Sequence, residues 1–478
     1  MIGLMNYSPI LVALSILLVL ILYYSVPGRF QNTSLLLISY GFVILWNWKF
    51  ALILLLITVF HYCYGIWLAH HRQKTFLVFG VVANLLLLLF FRSADFFIPQ
   101  LIEALSALGL KVNGATLGIF APIGLSYYTL QNISYLVDIF RKQASPDTGF
   151  VNFALYLSYF PKLLAGPIEY ARTFIPRLEQ DRVIGNDDVS KSVVLILTGL
   201  LRKLVIADSL SAAIPADIFK TPAYFPPIDL FGWLIVYAFV IYNDFAGYTS
   251  VVRGISGLFG IELSNNFDYP YFARSFSEFW NRWHISLSRW LRDYVYFPLH
   301  RSFSQSVGDR ESLLTLCVPP LITMLASGLW HGLSWHMILW GSLHGTYLTV
   351  ERIFSLRRTV VPPDQLSPQR QLVSNGMIIS LVILAWVPFR MELPIAVTYW
   401  TSMFDVTKLP FFSKRLLLIL FYLSLWLIAE WQFYRFKDEF LVTRLPKWGQ
   451  AICFAVVVFL IIVAAADQSG TAFIYQGF

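Results

Sequence analysis

Long runs of apolar residues follow one another along nearly the whole chain, separated by short polar or Pro/Gly-containing stretches. A helix needs roughly 20 such residues to cross a bilayer. Runs of Leu, Ile, Val and Phe without strict alternation favour helices over the strands of a membrane barrel. The pattern therefore predicts an all-α, polytopic membrane protein with about 10 to 14 transmembrane or re-entrant helices. The candidate segments are 8–26, 33–47, 50–69, 75–92, 118–140, 151–168, 191–212, 229–245, 313–330, 334–350, 374–389, 395–404, 414–433 and 450–466.

The polar stretches between these segments are too short to form a separate soluble domain, and the sequence contains no internal repeat. Residues 1–478 are therefore predicted to form a single integral membrane domain. The Pro-rich stretch 361–368 separates a last helix group, at about 374–478, from the helices before it. Any soluble step in this protein's function is expected to come from another chain.

The composition agrees with a membrane location and excludes an ordinary soluble protein. Hydrophobic residues make up 57% of the chain and charged residues 13%, with a mean hydropathy of +0.65. Charged residues alone are about 25% of a typical soluble domain. The net charge is +8. Basic clusters such as Arg141-Lys142 and Arg202-Lys203 are interpreted as cytoplasmic loops beside anionic lipid, so nucleic-acid binding is not implied.

The three cysteines, Cys63, Cys317 and Cys453, are widely separated and form no CxxC pattern. The sequence also contains no HExxH motif. It therefore predicts neither a metal site nor a disulfide framework, and the cysteines are interpreted as small core residues.

The stretch from Ser277 to Trp290 concentrates a histidine, two arginines, a glutamate and three tryptophans. It is predicted as an amphipathic helix that lies at the membrane interface or dips in from it. Glu278–Arg282 and Arg289–Asp293 have the i,i+4 spacing of ion pairs. The apolar face of this helix carries Trp280, His284, Leu287 and Leu291.

Residues 274–301 contain five arginines and two acidic residues, a local surplus of positive charge. This surplus suits anionic lipid headgroups, and it equally suits the phosphates of a nucleotide-bearing substrate or an acidic partner protein. The residues themselves do not choose between these ligands.

Three histidines lie in one apolar part of the chain, and they are not equivalent. A neutral imidazole buried in hydrocarbon can accept a proton, so His331 is a candidate general base, and Gly332 beside it allows close approach. Packing by hydrogen bonds across helices is the alternative for His331. His336 and His344 share a helical face with Trp340 between them, and for these two the packing interpretation is favoured.

Several polar and aromatic motifs stand in a characteristic order across residues 118–346. They are Pro122–Gln131 with Tyr135–Arg141, Phe160–Ile168, Tyr242–Thr249, Asn265–Phe272 running into Glu278–Ser288, Gly328–Gly332 (Gly-Leu-Trp-His-Gly), and Trp340–Gly345. Together they resemble the membrane-bound O-acyltransferase superfamily, and within it the bacterial branch that acetylates cell-surface polysaccharides.

This resemblance implies that His331 occupies the essential catalytic position and that His284 is the second active-site histidine. It implies a membrane-embedded helical core with a tunnel between the two membrane faces. It also implies transfer of an acyl group, most simply acetyl, outward from a cytoplasmic thioester. The second-tier candidates for lining the tunnel or orienting the site are Asp244, Gln131, Asn281 and Trp330. For Asp244 and Gln131 a structural hydrogen-bonding role is an equal alternative.

The expected reaction needs no bound cofactor, because the acyl donor, acetyl coenzyme A or an acyl carrier protein, is a substrate. Arg282, Arg289 and Arg292 are the candidate residues for binding this donor or carrier. His331 would deprotonate the attacking hydroxyl, and His284 or a nearby donor would stabilise the oxyanion. The expected partner is a periplasmic or extracellular acetyltransferase, and the expected location is the bacterial cytoplasmic (inner) membrane.

Other functions remain open at the level of sequence. Acetylation of alginate, of peptidoglycan or of another exopolysaccharide, and D-alanylation of teichoic acid, use similar membrane subunits. A polysaccharide or lipid transporter would also be polytopic with polar residues in its spans, although transporters often show repeats. A non-catalytic scaffold that recruits a soluble acetyltransferase is the remaining alternative.

Overall fold

The computed structural model describes residues 9–92, 102–103, 105–109, 122–146, 149–306, 312–356, 367–408 and 413–467. Within these ranges the regular structure is helical and contains no strand, which confirms the predicted all-α class. Parts of the predicted segments lie outside the described residues: residue 8 of the 8–26 segment, 118–121 of the 118–140 segment, and 361–366 of the Pro-rich stretch 361–368.

The helices of the first half are α1 (Pro9–Ser25), α2 (Gly28–Trp46), α3 (Trp48–His70), α4 (Lys74–Arg92), α5 (Leu125–Phe140), α6 (Phe150–Ser158), α7 (Ala171–Leu178), α8 (Asn186–Leu200), a π-helix at Leu201–Asp208, α9 (Ser209–Ala213) and α10 (Pro227–Leu258). Those of the second half are α11 (Phe276–Arg282), α12 (Ile285–Leu291), a π-helix at Arg292–Tyr296, α13 (Phe297–Ser306), α14 (Leu313–His331), α15 (Trp335–Leu356), α16 (Pro368–Arg390), α17 (Leu393–Met403), α18 (Lys414–Phe436) and α19 (Lys447–Asp467). Short 3₁₀ turns occur at Pro222–Tyr224, Pro270–Phe272 and Leu441–Arg444.

Seven helices of the described residues are long and apolar enough to cross a membrane, namely α3, α4, α10, α14, α16, α18 and α19 over Lys447–Ala466. The protein is therefore a multi-pass membrane protein. These helices differ in burial: 89% of the apolar window of α10 is buried, whereas none of the window of α19 is. The outward side chains of α19, such as Phe459 and Ile462, suit contact with hydrocarbon.

The sequence predicts more segments than the seven long apolar helices, and some of the predicted segments are not spans. The segment 151–168 is wrong as a span, because α6 ends at Ser158 and the chain continues as a loop. Pro161 explains the early end, since the residue before a proline avoids helical backbone angles. In the described part of the 118–140 segment, the helix begins at Leu125, after Gly124 with φ +72°.

The chain folds into two compact units. The first consists of Met1–Val189 and Ile255–Ser264, and the second of Ser190–Gly254 and Asn265–Phe478. In the first unit, α5 packs against α3 and α4 and is buried along almost its whole length. The second unit contains α10 as far as Gly254 and the helices from α11 onward, and most of the candidate residues lie in it.

Helices α14 and α15 form a tight hairpin in the second unit. A Cβ atom at Gly328 would clash with the carbonyl oxygen of Met337, and one at Gly341 would clash with that of Met324. The two backbones can approach so closely only because both positions lack a side chain. This hairpin places His331, the last residue of α14, beside the start of α15.

Candidate functional site

The predicted single helix over 277–290 is interrupted at His284. Helix α11 ends at Arg282 and α12 begins at Ile285, while His284 has left-handed backbone angles, φ 40° and ψ 55°. The prediction of one continuous helix is therefore wrong at this residue. Such angles are uncommon for a residue other than glycine and typically occur where surrounding structure imposes them, often at functional sites.

The surrounding structure that imposes the break is the segment 265–268. The backbone carbonyl of Asn266 accepts a hydrogen bond from the amide of Ile285 (2.9 Å), and its side-chain oxygen accepts one from the amide of Ser286 (3.2 Å). The amide of Asp268 donates to the carbonyl of Arg282 (3.0 Å). Backbone groups exposed by the break are thereby satisfied, as buried helix ends require.

The same segment lines a small cavity of about 40 Å³ within the second unit. Asn265, Phe267 and Tyr269 face the cavity, whereas Asn266 and Asp268 hold the two helix ends at the break. The break at His284 and one wall of the cavity are therefore built from one stretch of backbone.

Helix α11 carries an ion-pair network on its charged side. The predicted Glu278–Arg282 pair is present at 2.9 Å, and Arg274 lies 3.2 Å from the same carboxylate. Burial alone would raise the pKa of Glu278, but hydrogen bonds from Arg274 and the charges of both arginines outweigh it and hold this pKa below its usual value. At the amino end of α11, the carboxylate of Glu351 accepts from the amides of Phe276 (2.5 Å) and Ser277 (3.1 Å).

The three arginines predicted to bind a donor or carrier differ in their surroundings. Arg282 is partly buried and contacts Glu278 and Asp268. Arg289 and Arg292 are exposed, and Arg292 lies 3.4 Å from the carboxylate of Asp293. Arg289 and Arg292 are therefore the two that present their charge outward.

His331 lies in an aromatic environment. Its ring contacts those of Trp330, Trp340 and Phe389, with centroid distances of 4.8, 5.3 and 5.2 Å. These neighbours come from the end of α14, from α15 and from α16. Only 4% of His331 is exposed. The hairpin of α14 and α15 and the packing of α16 on α15 thus enclose this imidazole.

His284 reaches the same aromatic cluster from the helix break. Its ring is fully buried and contacts Phe245 of α10 at 4.8 Å and Trp330 at 6.1 Å between centroids. Because Trp330 contacts both His284 and His331, one indole links the two predicted catalytic histidines. A buried pair of imidazoles among aromatic rings can exchange protons with a substrate in a site from which bulk water is excluded.

The remaining second-tier candidates lie in different places. Asn281 is exposed on α11. Gln131 belongs to the first unit, where its backbone carbonyl accepts a hydrogen bond from the Tyr156 hydroxyl at 3.2 Å. Asp244 is buried in α10 and forms an ion pair with Lys203 at 2.8 Å, a lysine that also lies 2.7 Å from Asp208.

The interpretation of Arg202 and Lys203 as a cytoplasmic loop is wrong, because both are buried in the π-helix that follows α8. Arg202 forms an ion pair with Glu430 of α18 at 2.6 Å and contacts the side-chain oxygen of Asn243 at 3.0 Å. π-helical turns are often found near functional sites. The sequence signal for this cluster was present, since two basic residues interrupt an apolar segment, but their acidic partners are distant in sequence.

The other two histidines of the apolar region, His336 and His344, have different surroundings. The Nδ1 atom of His336 hydrogen-bonds the carbonyl of Pro388 at 2.8 Å, as a packing role requires. His344 is buried against Trp280 and Trp340, with centroid distances of 5.1 and 4.9 Å. Among the described residues, no group of three or more His, Cys, Asp or Glu is arranged to hold a metal ion.

Comparison with known proteins places this arrangement in context. The model of the MBOAT, membrane-bound O-acyltransferase family matches residues 35–391, a range that includes both candidate histidines and every motif of the sequence analysis.

Several curated proteins are similar over much of the chain. The probable alginate O-acetylase of Azotobacter vinelandii is 34% identical over 392 residues, which are 80% of this chain and 74% of that protein. The peptidoglycan O-acetyltransferase of Helicobacter pylori is 32% identical over 364 residues, 70% of this chain and 66% of that protein. The teichoic acid D-alanyltransferase of Streptococcus thermophilus is 29% identical over 263 residues, 53% of this chain and 62% of that protein.

Proposed function

This chain belongs to the membrane-bound O-acyltransferase family, and we propose that it moves an acetyl group from a cytoplasmic thioester across the bacterial cytoplasmic (inner) membrane towards hydroxyls of an exported or cell-surface polysaccharide. That it is a membrane acyltransferase follows from the family. The names of the relatives with the higher identities support acetyl as the transferred group and alginate or peptidoglycan as the kind of acceptor.

The observation that carries this proposal is the linkage of His284 and His331 through Trp330 in one buried aromatic cluster. In the proposed reaction His331 takes the proton of the attacking hydroxyl as its oxygen attacks the thioester carbonyl. The carbon–sulfur bond then breaks, and the proton passes from His331 to the departing thiolate. The aromatic walls keep water from hydrolysing the thioester.

His284 is proposed to stabilise the negative charge that develops on the carbonyl oxygen. Its backbone is fixed by the hydrogen bonds of Asn266 to the start of α12, so the imidazole needs little reorganisation during the reaction. Preorganised donors of this type are among the largest contributions to acyl transfer.

The donor is proposed to be acetyl coenzyme A or an acyl carrier protein, which bind as substrates, with no resident cofactor. Exposed Arg289 and Arg292 are suited to contact the phosphates of acetyl coenzyme A or the acidic surface of a carrier protein. Arg282 is already paired with Glu278 of the same helix and with Asp268. Its proposed role is therefore to hold the end of α11 against the 265–268 segment. A periplasmic or extracellular acetyltransferase is the proposed acceptor partner.

The test compares His331→Gln with His336→Gln in the purified full chain, using radiolabelled acetyl coenzyme A and candidate partner enzymes. Loss of a general base is expected to lower turnover by about 10² to 10⁴. Because His336 bonds a backbone carbonyl outside the proposed chemistry, His336→Gln is expected to retain most turnover. Equal turnover of folded His331→Gln and wild type would refute the role of His331.

A second candidate is D-alanyl transfer, favoured by the similarity to the teichoic acid D-alanyltransferase over 53% of this chain. The two reactions use different thioester donors, so parallel assays with acetyl coenzyme A and with a D-alanyl carrier protein separate them. Turnover of the D-alanyl thioester only would replace acetyl as the transferred group. It would leave the histidine chemistry in place.

A further inference from the structure

The histidines of this protein that lie fully or partly inside the fold differ in how their ring nitrogens are satisfied. His61 in the first unit bonds the carbonyl of Ile57 through Nδ1 and the amide of Asn84 through Nε2, both at 2.8 Å. His336 in the second unit bonds the carbonyl of Pro388. His344 is 1% exposed, and neither of its ring nitrogens has a hydrogen-bond partner among the residues that the structure describes.

Two neighbours of His344 also have buried polar atoms without a hydrogen-bond partner among the described residues. Trp280 and Trp340 pack against its ring, and their indole N–H groups are buried without an acceptor in the described part of the chain. Phe279 stacks on the imidazole at 6.3 Å, and Tyr347 contacts it at 5.7 Å. Two indole donors and one imidazole, which both donates and accepts, therefore lie in one buried aromatic cluster.

The cluster of His344, Trp280 and Trp340 is in direct contact with the proposed active site through Trp340. Trp340 contacts the ring of His344 at 4.9 Å and that of His331 at 5.3 Å. Buried polar groups that lack partners destabilise a fold, so their presence needs an explanation beyond packing. A bound group that supplies their hydrogen bonds gives that explanation.

We propose that His344, with the indole N–H groups of Trp280 and Trp340, binds a hydroxyl group and thereby orients the reactants for His331. A hydroxyl both donates and accepts, which matches the imidazole and the indoles together. The hydroxyl comes either from the acyl acceptor, at a position other than the one that His331 deprotonates, or from a buried water molecule. The inference rests on the proposed acyl transfer.

The experiment measures thermal unfolding without substrate and turnover of acetyl coenzyme A for His344→Phe, His344→Gln and the control His336→Phe, each in the full chain. If the acceptor supplies the hydroxyl, the ring nitrogens of His344 have no partner before substrate binds, so the Tm of His344→Phe is expected to equal or exceed that of wild type. If a buried water molecule supplies it, the Tm of His344→Phe is expected to fall below that of wild type. Turnover is expected to fall about tenfold, the size of one lost hydrogen bond to a reactant.

The other two variants give the matched comparison. His344→Gln is expected to recover part of the turnover, because its amide can donate and accept. His336→Phe is expected to lower the Tm, because the carbonyl of Pro388 loses its partner. This pattern separates a histidine that binds a reactant from one that only supports packing.

The kinetic constants identify the source of the hydroxyl. A raised KM for the acceptor with kcat nearly unchanged would assign it to the acceptor, whereas a lowered kcat with unchanged KM would assign it to water. A His344→Phe protein with wild-type turnover per folded molecule, or a His344→Gln protein that recovers none of the lost turnover, would overturn the inference alone. A wild type that is inert with every thioester would overturn the proposed function and this inference with it.

Discussion

Two of the buried polar clusters in the second unit are built from different chemistry. In the charged cluster, Lys203 lies between the carboxylates of Asp208 and Asp244. In the histidine cluster, His284 and His331 pack against the aromatic ring of Trp330. A buried charge depends on its counter-charge, whereas a neutral imidazole fits among aromatic rings. We therefore expect the charged cluster to govern folding and the histidine cluster to govern turnover.

The charged cluster gives the largest expected effect on stability, through Lys203→Met. This change leaves two carboxylates buried without their cation and is expected to lower the free energy of unfolding by about 3–5 kcal/mol. Turnover per folded molecule is expected to change much less. Thermal unfolding in detergent, with Lys191→Met on the exposed side of α8 as control, measures the effect. Equal stability of the two variants would remove the distinction between the clusters.

A smaller loss is expected from Glu430→Gln in the same part of the unit. Arg202 loses its ion pair but keeps the oxygen of Asn243 and the rings of Tyr242 and Trp426, at 5.3 and 5.2 Å from its guanidinium carbon. The expected decrease in the free energy of unfolding is about 1.5–3 kcal/mol. A decrease as large as that of Lys203→Met would mean that the remaining contacts of Arg202 contribute little.

The histidine cluster is tested by comparing His284→Gly with His284→Ala. Both remove the imidazole and are expected to abolish most turnover. Glycine accepts the left-handed angles of residue 284 without steric cost, so His284→Gly is expected to be more stable than His284→Ala by about 1 kcal/mol. Thermal unfolding of the two proteins measures this difference, and a more stable alanine variant would argue against a strained backbone at the break.

The smallest effects are expected outside both clusters, at Arg289 and Arg292. Exposed charges contribute about 0–1 kcal/mol to stability, so alanine at either position should leave the Tm unchanged. The KM for the thioester donor is expected to rise, and to rise less at high salt because salt screens exposed charges. Arg370→Ala, another exposed arginine, is the control. An unchanged KM at low salt would remove both residues from donor binding.

The apolar spans were predictable because each is a local property of some twenty residues. Helices α3, α4 and α19 lie almost where the hydrophobic runs placed them. The family motifs likewise placed His331 and His284 as candidates. The aromatic contacts of these two histidines with Trp330 agree with that placement, and their roles remain predictions for the experiments above.

The features that escaped prediction depend on residues distant in sequence. The break at His284 is imposed by Asn266 and Asp268, which the amphipathic pattern of 277–290 does not contain. The burial of Arg202 depends on Glu430, 228 residues later. His344 was placed with His336 because both share a helical face. Only the hydrogen bonds of the folded protein distinguish them.

The contact of Glu351 with the start of α11 has a consequence for biosynthesis. Its carboxylate binds the amide of Phe276, 75 residues earlier in the chain. At a translation rate of roughly 5–20 residues per second, the ribosome adds Glu351 roughly 4–15 s after Phe276. During that interval the α11 segment has been synthesised, but its amino end has no contact with Glu351 of α15. The proposed active site is therefore completed late in translation, after the α14–α15 hairpin has been made.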